Sequence, residues 1–209
     1  MTSIPTPSAR FATPTLAERV LPRSAVNNAV LITAGTALVA ILAQAAVPLW
    51  PVPVTGQTLG VMLVGATLGA WRGAASLALY LALGLAGLPI FAGAGAGFSP
   101  SFGFIIGFVP AAALIGWLSE RSWDRRPALA LLGFLAASIV PFLFGVPYLA
   151  VALGSLGLPN DVAAVMQAGV IPFIPGGIVK WLIAAAALPL LWKLVRAADE
   201  RASAADDDR

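Results

Sequence analysis

The sequence predicts an all-α membrane protein of six transmembrane helices with both termini in the cytoplasm. Three observations support this fold class: an apolar composition, six long apolar stretches and a one-sided distribution of basic residues. Of 209 residues, 59% are hydrophobic and only 10% are charged, and the mean hydropathy is +0.92. Ordinary soluble domains carry about 25% charged residues. A soluble chain of this composition could not cover its surface with polar groups, so the composition indicates one membrane domain.

The apolar stretches give the expected order of helices. A helix that crosses a bilayer needs about 20 mainly apolar residues. Residues 71–73 separate the second stretch from the third so closely that we expect a tight helical hairpin. Pro141, Gly145 and Pro147 interrupt the fifth stretch, and because proline removes a helical hydrogen bond, we expect that helix to be kinked or broken. The six candidates are residues 26–48, 56–71, 73–89, 102–119, 128–153 and 171–195.

The first stretch contains a sequence typical of signal-peptide cleavage, Ala43-Gln44-Ala45. The apolar run that precedes it begins at residue 25. It is longer than the roughly 7–15 residues of a signal-peptide core. We therefore interpret it as a retained first helix.

The basic residues lie on one side of the predicted membrane. With a cytoplasmic N-terminus, the outer segments 49–55, 90–101 and 154–170 contain no Lys or Arg. This asymmetry is typical of membrane proteins, in which cytoplasmic loops carry the excess of basic residues. It predicts that both termini are cytoplasmic. The nine basic residues of the inner segments are Arg10, Arg19, Arg23, Arg72, Arg121, Arg125, Arg126, Lys193 and Arg196.

The two ends of the chain differ in composition from the rest. Residues 1–24 are rich in Pro, Ser and Thr, and residues 197–209 are polar and acidic. Segments of this kind cannot bury enough apolar surface to fold by themselves. We predict two disordered cytoplasmic tails on either side of a membrane domain that spans residues 25–196.

Missing residue types and motifs exclude several functions. The chain has no Cys and no His, which argues against disulfides and against zinc, haem or iron–sulfur sites. It has no G-x-x-x-x-G-K-[ST] loop for ATP and no G-x-S-x-G elbow. Its basic residues stand singly, so nucleic acid is not an expected partner. We predict a protein that is not an enzyme and has no cofactor; a membrane-embedded enzyme is disfavoured because acid–base residues are missing.

Lys180 is the strongest candidate for a functional residue, because a charge inside a membrane segment costs at least about 2.5–3.5 kcal/mol. The alternative is a lysine that extends to the interface. Pro172 and Pro175, just before it, suit the start of a helix. Gly176 and Gly177 allow close approach to bare backbone, whose first N–H groups lack helical partners. Together these residues predict a site for a carboxylate or a polarised carbonyl.

The outer segments contain one charged residue, Asp161, and the second and third are rich in glycine. We therefore expect them to fold inward, like re-entrant loops, over a ligand pocket. The simpler alternative is that they are flexible connectors. Residues 91–98 would form a lid with glycine hinges and apolar cover. Thr55 is also a plausible N-cap of the second helix. Besides the lysine and its two glycines, the expected ligand-binding residues are Thr55, Gln57, Phe91, Gly93, Phe98 and Tyr148.

The first helix carries small residues at every fourth position: Ala29, Thr33 and Ala37. Stripes of this kind let another helix pack closely in a membrane. The stripe could face helices of the same chain or a partner protein, and the spacing does not decide between the two.

Several of these motifs together resemble the BioY family, the biotin-binding S components of energy-coupling-factor (ECF) transporters. The resemblance runs from about residue 28 to residue 195. It is carried by PVPVTGQTLGVMLVGATLGAWRG (51–73), LALGLAGLPIFAGAGAG (81–97), PSFGFIIGF (100–108) and PFIPGGIVK (172–180).

The resemblance implies a six-helix domain in a bacterial cell membrane that captures biotin from outside. It implies loops that close over the site, and as partners a transmembrane T component and ABC ATPase subunits. In the family an A-x-x-x-A stripe on the first helix docks the T component, and Thr33 and Ala37 match that stripe. The family usually reads P-G-D-x-x-K where this chain has Gly177 and Lys180, and it has a Tyr where this chain has Phe104.

Two other readings stay open from the sequence. The chain could be an S component for another small vitamin. It could also be a structural membrane subunit without a ligand, although this reading leaves a lysine inside a membrane segment unexplained.

Overall fold

The structure is a computed structural model that describes residues 14–22 and 24–207. It consists of helices joined by short loops and one two-stranded hairpin. The described residues also form two short 3-10 turns, Ala92–Ala94 and Trp123–Arg125. The other elements are α1 (Leu16–Val20), α2 (Ala25–Gln44), β1 (Ala46–Val47), β2 (Val54–Thr55), α3 (Gln57–Leu68), α4 (Ala70–Leu85), α5 (Phe102–Ser119), α6 (Pro127–Ser155), α7 (Val162–Gly169) and α8 (Phe173–Asp207).

Helix α5 forms the centre of the bundle. It packs against α3, α4 and α6, while α2 packs against α3 and α4, and α8 packs against α6 and α3. In its apolar 18-residue window, 67% of the residues are buried, compared with 17% in α2. Three glycines of α5 allow this close packing, because a Cβ at Gly103, Gly107 or Gly116 would collide with a neighbouring helix.

Among the described residues, three helices are long and apolar enough to cross a membrane: α2, α5 and α6. Helix α7 and the segment Phe173–Leu188, bent by 41° at their junction, would make a fourth span if taken together. Helices α3 and α4 have only 12 and 16 residues. All six predicted stretches thus contain a helix, but six complete spans remain a prediction.

The turn between α3 and α4 lies at Gly69 and not at residues 71–73, as the sequence suggested. Gly69 has φ 87°, a left-handed angle that favours glycine. The backbone N–H of Ala70 then donates to Glu120 Oε1 at 2.9 Å, which satisfies one of the free donors at the start of α4. The aromatic and charged residues at 71 and 72 therefore lie inside α4.

Helix α6 runs without a break from Pro127 to Ser155 and includes both Pro141 and Pro147. Of the two expected outcomes, the break is therefore wrong, and a kink at these prolines stays a prediction. Pro141 is buried where α6 crosses α5, and its backbone lies against Gly107, which has no side chain to keep it away. α6 and α5 thus pack closely at the position where proline removes a helical hydrogen bond.

The structure departs from the predicted tails at both ends. Residues Leu16–Val20 form α1, with Leu16 buried, and α8 continues to Asp207. The N-terminal segment is held by an ion pair in which Arg72 Nη1 lies 3.3 Å from Glu18 Oε1, and Arg72 Nε donates to Asn28 Oδ1 at 2.8 Å. Residues 1–13, 23, 208 and 209 lie outside the described part of the chain.

The loops lie at two ends of the bundle. The lid end comprises the β1–β2 hairpin, the lid loop (residues 91–98) and the α6–α7 turn. The hairpin is antiparallel and pairs Ala46 with Thr55. The charged end comprises α1, the Gly69 turn and the α5–α6 connection. Helix α3 starts at the lid end. Its N-cap is Gly56 and not Thr55, one residue later than expected.

Candidate functional site

Lys180 lies where α8 meets α3 near the lid end. Its Nζ donates to Thr58 Oγ1 at 2.9 Å, and the side chain is partly buried. Two cavities meet at this lysine, and both are lined by Thr58, Phe142, Phe173 and Lys180. The ammonium is therefore available to a ligand in either cavity.

The first cavity, here the lid cavity, lies beneath the hairpin and the lid loop and has a volume of about 40 Å³. Its polar groups come from Thr55, Gln57 and Ser101. Phe104 stacks on Phe173 with ring centroids 6.0 Å apart and closes one side. The remaining lining residues are Val52, Pro53, Ala92, Ile105, Phe108 and Pro141.

The second cavity, here the lateral cavity, lies between α3, α6 and α8 and has a volume of about 310 Å³. Leu135, Ile139 and Ile174 on its rim are exposed, so it opens toward the side of the bundle. Trp181 Nε1 donates to Ser138 Oγ at 2.6 Å and fixes the indole in the wall. The other lining residues are Met62, Val170 and Gly177.

The electrostatics of the site depend on what surrounds the lysine. Both cavities are lined entirely by described residues, and none of these is Asp or Glu. The Thr58 hydroxyl is a neutral partner for Lys180 Nζ. A carboxylate would supply the missing opposite charge, since an ammonium in a low-dielectric site interacts strongly with an anion. The arrangement thus suits a largely apolar molecule that carries an anionic group.

A chain of hydrogen bonds connects the lid cavity to Ile90, the residue before the lid loop. Thr55 Oγ1 donates to Gln57 Oε1 at 2.7 Å, and Gln57 Nε2 donates to the Tyr80 hydroxyl at 2.8 Å. The Tyr80 hydroxyl in turn donates to the carbonyl oxygen of Ile90 at 3.0 Å. Thr55 and Gln57 are buried as expected, and Thr55 Oγ1 also accepts the backbone N–H of Gln57 at 3.2 Å.

The lid loop differs in detail from the expectation. Phe91 is buried against Tyr80 and over the bare backbone of Gly84, where any larger residue would collide with its ring. Phe98 is 76% exposed and packs edge-on against Phe102. Neither ring lines a cavity; Ala92 does so instead.

Two other expected residues also lie away from the cavities. Gly93 is exposed and has φ 64°, a left-handed backbone angle that favours glycine. Tyr148 packs against Phe102, with ring centroids 5.8 Å apart. Which face of a helix an aromatic residue occupies depends on how the helices pack, and this is not visible in a single segment.

The glycines before Lys180 are placed only partly as expected. Gly177 lines the lateral cavity, and Gly176 lies under the hairpin, close to Val54. The first donors of α8 are not free: Phe173 N–H donates to the Val170 carbonyl at 3.0 Å and Ile174 N–H to the Ile171 carbonyl at 3.2 Å. The expected set of free backbone donors is therefore reduced.

Thr58 is the functional candidate that sequence reasoning undervalued. It follows Gln57 directly in the T-G-Q-T sequence. Its hydroxyl contacts the ammonium of a residue 122 positions away. Only the packing of α8 on α3 reveals this contact.

The small-residue stripe of α2 is on the surface of the chain. Ala29, Thr33 and Ala37 are all exposed, and with Val30 and Ala34 they line a shallow groove. The stripe therefore does not pack against other described helices of the same chain.

Comparisons with known proteins agree with this fold. The BioY family model matches residues 13–197. The biotin transporter BioY of Rhodobacter capsulatus is 41% identical over 155 residues, which cover 66% of this chain and 78% of that protein. The probable biotin transporter BioY of Lysinibacillus sphaericus is 31% identical over 183 residues, which cover 86% of this chain and 93% of that protein.

A solved structure has the same fold. The S-component for biotin from an ECF-type ABC transporter aligns with a TM-score of 0.66 and 25% sequence identity, over 80% of this chain and 92% of that one. Since the family match spans most of the residues, the apolar helical bundle described above belongs to the BioY family.

Proposed function

We propose that this chain is the biotin-binding S component of an ECF-type ABC transporter and delivers biotin for uptake. The observation that carries this function is Lys180, an ammonium without an acidic neighbour in a mainly apolar site. Biotin combines a carboxylate, an apolar ring and alkyl chain, and a polar ureido group. Named relatives described as biotin transporters support the choice of this ligand.

The sizes of the cavities suggest how the ligand is placed. Pockets for small ligands usually measure about 300–1,000 Å³. The lateral cavity, at about 310 Å³, is within this range, while the lid cavity, at about 40 Å³, is far below it. We propose that biotin occupies the lateral cavity and extends past Lys180 toward the lid cavity. Biotin would enter from the lid end when the lid loop and the hairpin separate, because the lateral opening is bordered by exposed apolar side chains that would face the bilayer.

We propose the membrane orientation from the distribution of charges. Nine Lys and Arg residues lie in the inner segments and none in the outer ones. The charged end would face the cytoplasm of a bacterial cell and the lid end the outside. In this arrangement α2 to α6 and α8 are the six helices of the membrane domain, and biotin is captured from the outer side.

A binding measurement tests the function directly. The full chain, purified in detergent, should bind biotin saturably, and other vitamins such as thiamine and riboflavin should not compete. Competition by another vitamin would identify an S component with a different ligand. Absence of saturable binding for every vitamin would favour a structural subunit.

The exposed stripe of α2 is proposed as the contact with the T component. Replacing Ala37 with Trp should prevent close packing and abolish uptake in cells that also contain the T component and the ATPase subunits. Biotin binding to the isolated chain should be unchanged. Leu38→Trp, at the next and also exposed position of α2, is the matched control. A parallel loss of binding in Ala37→Trp would count against this contact.

A further inference from the structure

Gln44, the last residue of α2, holds the lid loop through its side-chain amide. Its Nε2 donates to the carbonyl oxygen of Phe91 at 3.1 Å and, at a longer 3.4 Å, to that of Ile90. Its Oε1 accepts the backbone N–H of Ala94 at 3.0 Å. A single amide thus uses both its donor and its acceptor on backbone groups at the start of the loop.

The local backbone explains why such a contact is needed. Ala94 has φ 56°, an angle that residues with a side chain rarely adopt. The loop makes its own short-range bonds, such as Phe91 N–H to the Gly95 carbonyl at 2.9 Å. The contact with Gln44 connects this compact turn to the end of a helix.

The Gln44 contact is separate from the ligand cavities. Gln44 lines neither cavity, and its partners in the loop are backbone groups. The Tyr80 contact with Ile90, just before the loop, is different, because the Tyr80 hydroxyl also accepts from Gln57, which lines the lid cavity. The Gln44 contact is therefore independent of what the lid cavity holds, whereas the Tyr80 contact is linked to the cavity through Gln57.

We propose that Gln44 is a latch that sets how often the lid loop opens, without contributing to the affinity for ligand. This inference rests on the proposed function, in which the loop is the gate for biotin. A latch that does not touch the ligand stabilises the closed loop equally with and without ligand. Its loss raises the rates of entry and of escape by the same factor, so that their ratio is unchanged.

The test is a measurement of biotin association and dissociation rates on the purified full chain. Gln44→Met keeps the length of the side chain and removes its hydrogen bonds. Loss of two bonds of ordinary net strength corresponds to roughly 10- to 100-fold in the opening equilibrium. Both rate constants should rise by that factor, with an unchanged Kd. Gln167→Met replaces an exposed glutamine on α7 and serves as control, with no change in either rate.

Tyr80→Phe separates the two kinds of contact. It breaks the link between Gln57 and Ile90, so it should weaken Kd, whereas Gln44→Met should not. Amide hydrogen exchange at residues 90–95 should also be faster in Gln44→Met, because Ala94 loses its acceptor.

The outcomes distinguish this inference from the proposed function. If the parent chain binds no biotin, the proposed function is wrong. If the parent binds biotin but Gln44→Met leaves both rates unchanged, or changes Kd as Tyr80→Phe does, the latch is wrong and the function stands.

Discussion

The two ends of the bundle are held by different kinds of hydrogen bond. At the lid end, the neutral side chains of Gln44 and Tyr80 bind backbone groups of the lid loop and of Ile90 before it. At the charged end, ionised side chains join one element to another. These contacts are Arg72 to Glu18 and Asn28, Glu120 to the N–H of Ala70, and Arg125 to the carbonyl of Pro14.

From this difference, we expect the lid end to open more readily than the charged end. Hydrogen bonds with an ionised partner are roughly twice as strong as neutral ones. The charged end can therefore serve as a fixed base, while the lid end exchanges its neutral contacts at low cost. Two ionisable groups near the lid end differ from this pattern. Asp161 caps α7 by accepting the backbone N–H groups of Ala163 and Ala164, a contact within one element. Lys180 is explained by the proposed function as the ligand's anchor.

The largest effect should come from breaking the charged end. In Arg72→Met, Glu18 loses an ion-pair partner at a site where the two side chains are only 6% and 16% exposed. Removing one partner of a buried pair typically costs about 3–5 kcal/mol. We expect a much lower thermal midpoint in detergent, measured by loss of helical signal. Arg121→Met, at an exposed residue of the same end, should have little effect.

If Arg72→Met unfolds at the same temperature as the parent, the charged end is not the fixed base described above. Biotin affinity of the folded fraction should stay near that of the parent, because Arg72 lines neither cavity.

A smaller effect, confined to ligand binding, is expected at Lys180. Lys180→Met keeps most of the side-chain volume and removes the ammonium. Hydrogen bonds to charged groups contribute about 1.5–3 kcal/mol, so the affinity for biotin should fall roughly 10- to 100-fold. Isothermal titration of the purified chain measures this directly. Lys193→Met, on the same helix at the charged end, should bind like the parent.

Equal affinity of Lys180→Met and the parent would mean that the lysine extends to the interface and that the site assignment is wrong. The comparison between the two ends would survive that result, since it depends on the contacts of the loops and not on the ligand.

Much of the fold could be predicted from the sequence because apolar length determines where membrane helices lie. The exact residues at which the helices begin and end could not be predicted in this way. The α3–α4 turn depends on the left-handed angle of Gly69 and on an acceptor from Glu120, 50 residues away from Ala70 in sequence. The close crossing of α6 and α5 depends on Gly107 leaving room for the backbone of Pro141.

The site shows the same division. Lys180 and Gly177 could be found because a charge and bare backbone are unusual where they occur, and Thr55 and Gln57 because they follow a proline-rich loop. The roles of Thr58 and Gln44 could not be predicted from the sequence, because each side chain contacts a residue of another element. For Tyr148 and Phe98, helix and loop packing turned the rings away from the cavities.

The smallest effect should be a pH dependence at the charged end. Asp124, in the α5–α6 connection, is buried, and its Oδ2 accepts the indole N–H of Trp192. Its Oδ1 is buried without a hydrogen-bond partner among the described residues. Burial raises the pKa of this carboxyl, although the Trp192 N–H and the nearby Arg125 act in the opposite direction.

A raised pKa in the folded state means that the folded chain binds this proton more tightly than the unfolded chain does. The stability that Asp124 contributes is fully present below its ordinary pKa of about 3.9, and it is lost as pH rises through the raised value. Asp124→Asn keeps an acceptor for Trp192 and cannot ionise. The thermal midpoint of this variant, minus that of the parent, should therefore increase from pH 4 toward neutral pH. If this difference stays constant over the range, burial does not oppose the ionisation of the Asp124 carboxyl at the charged end.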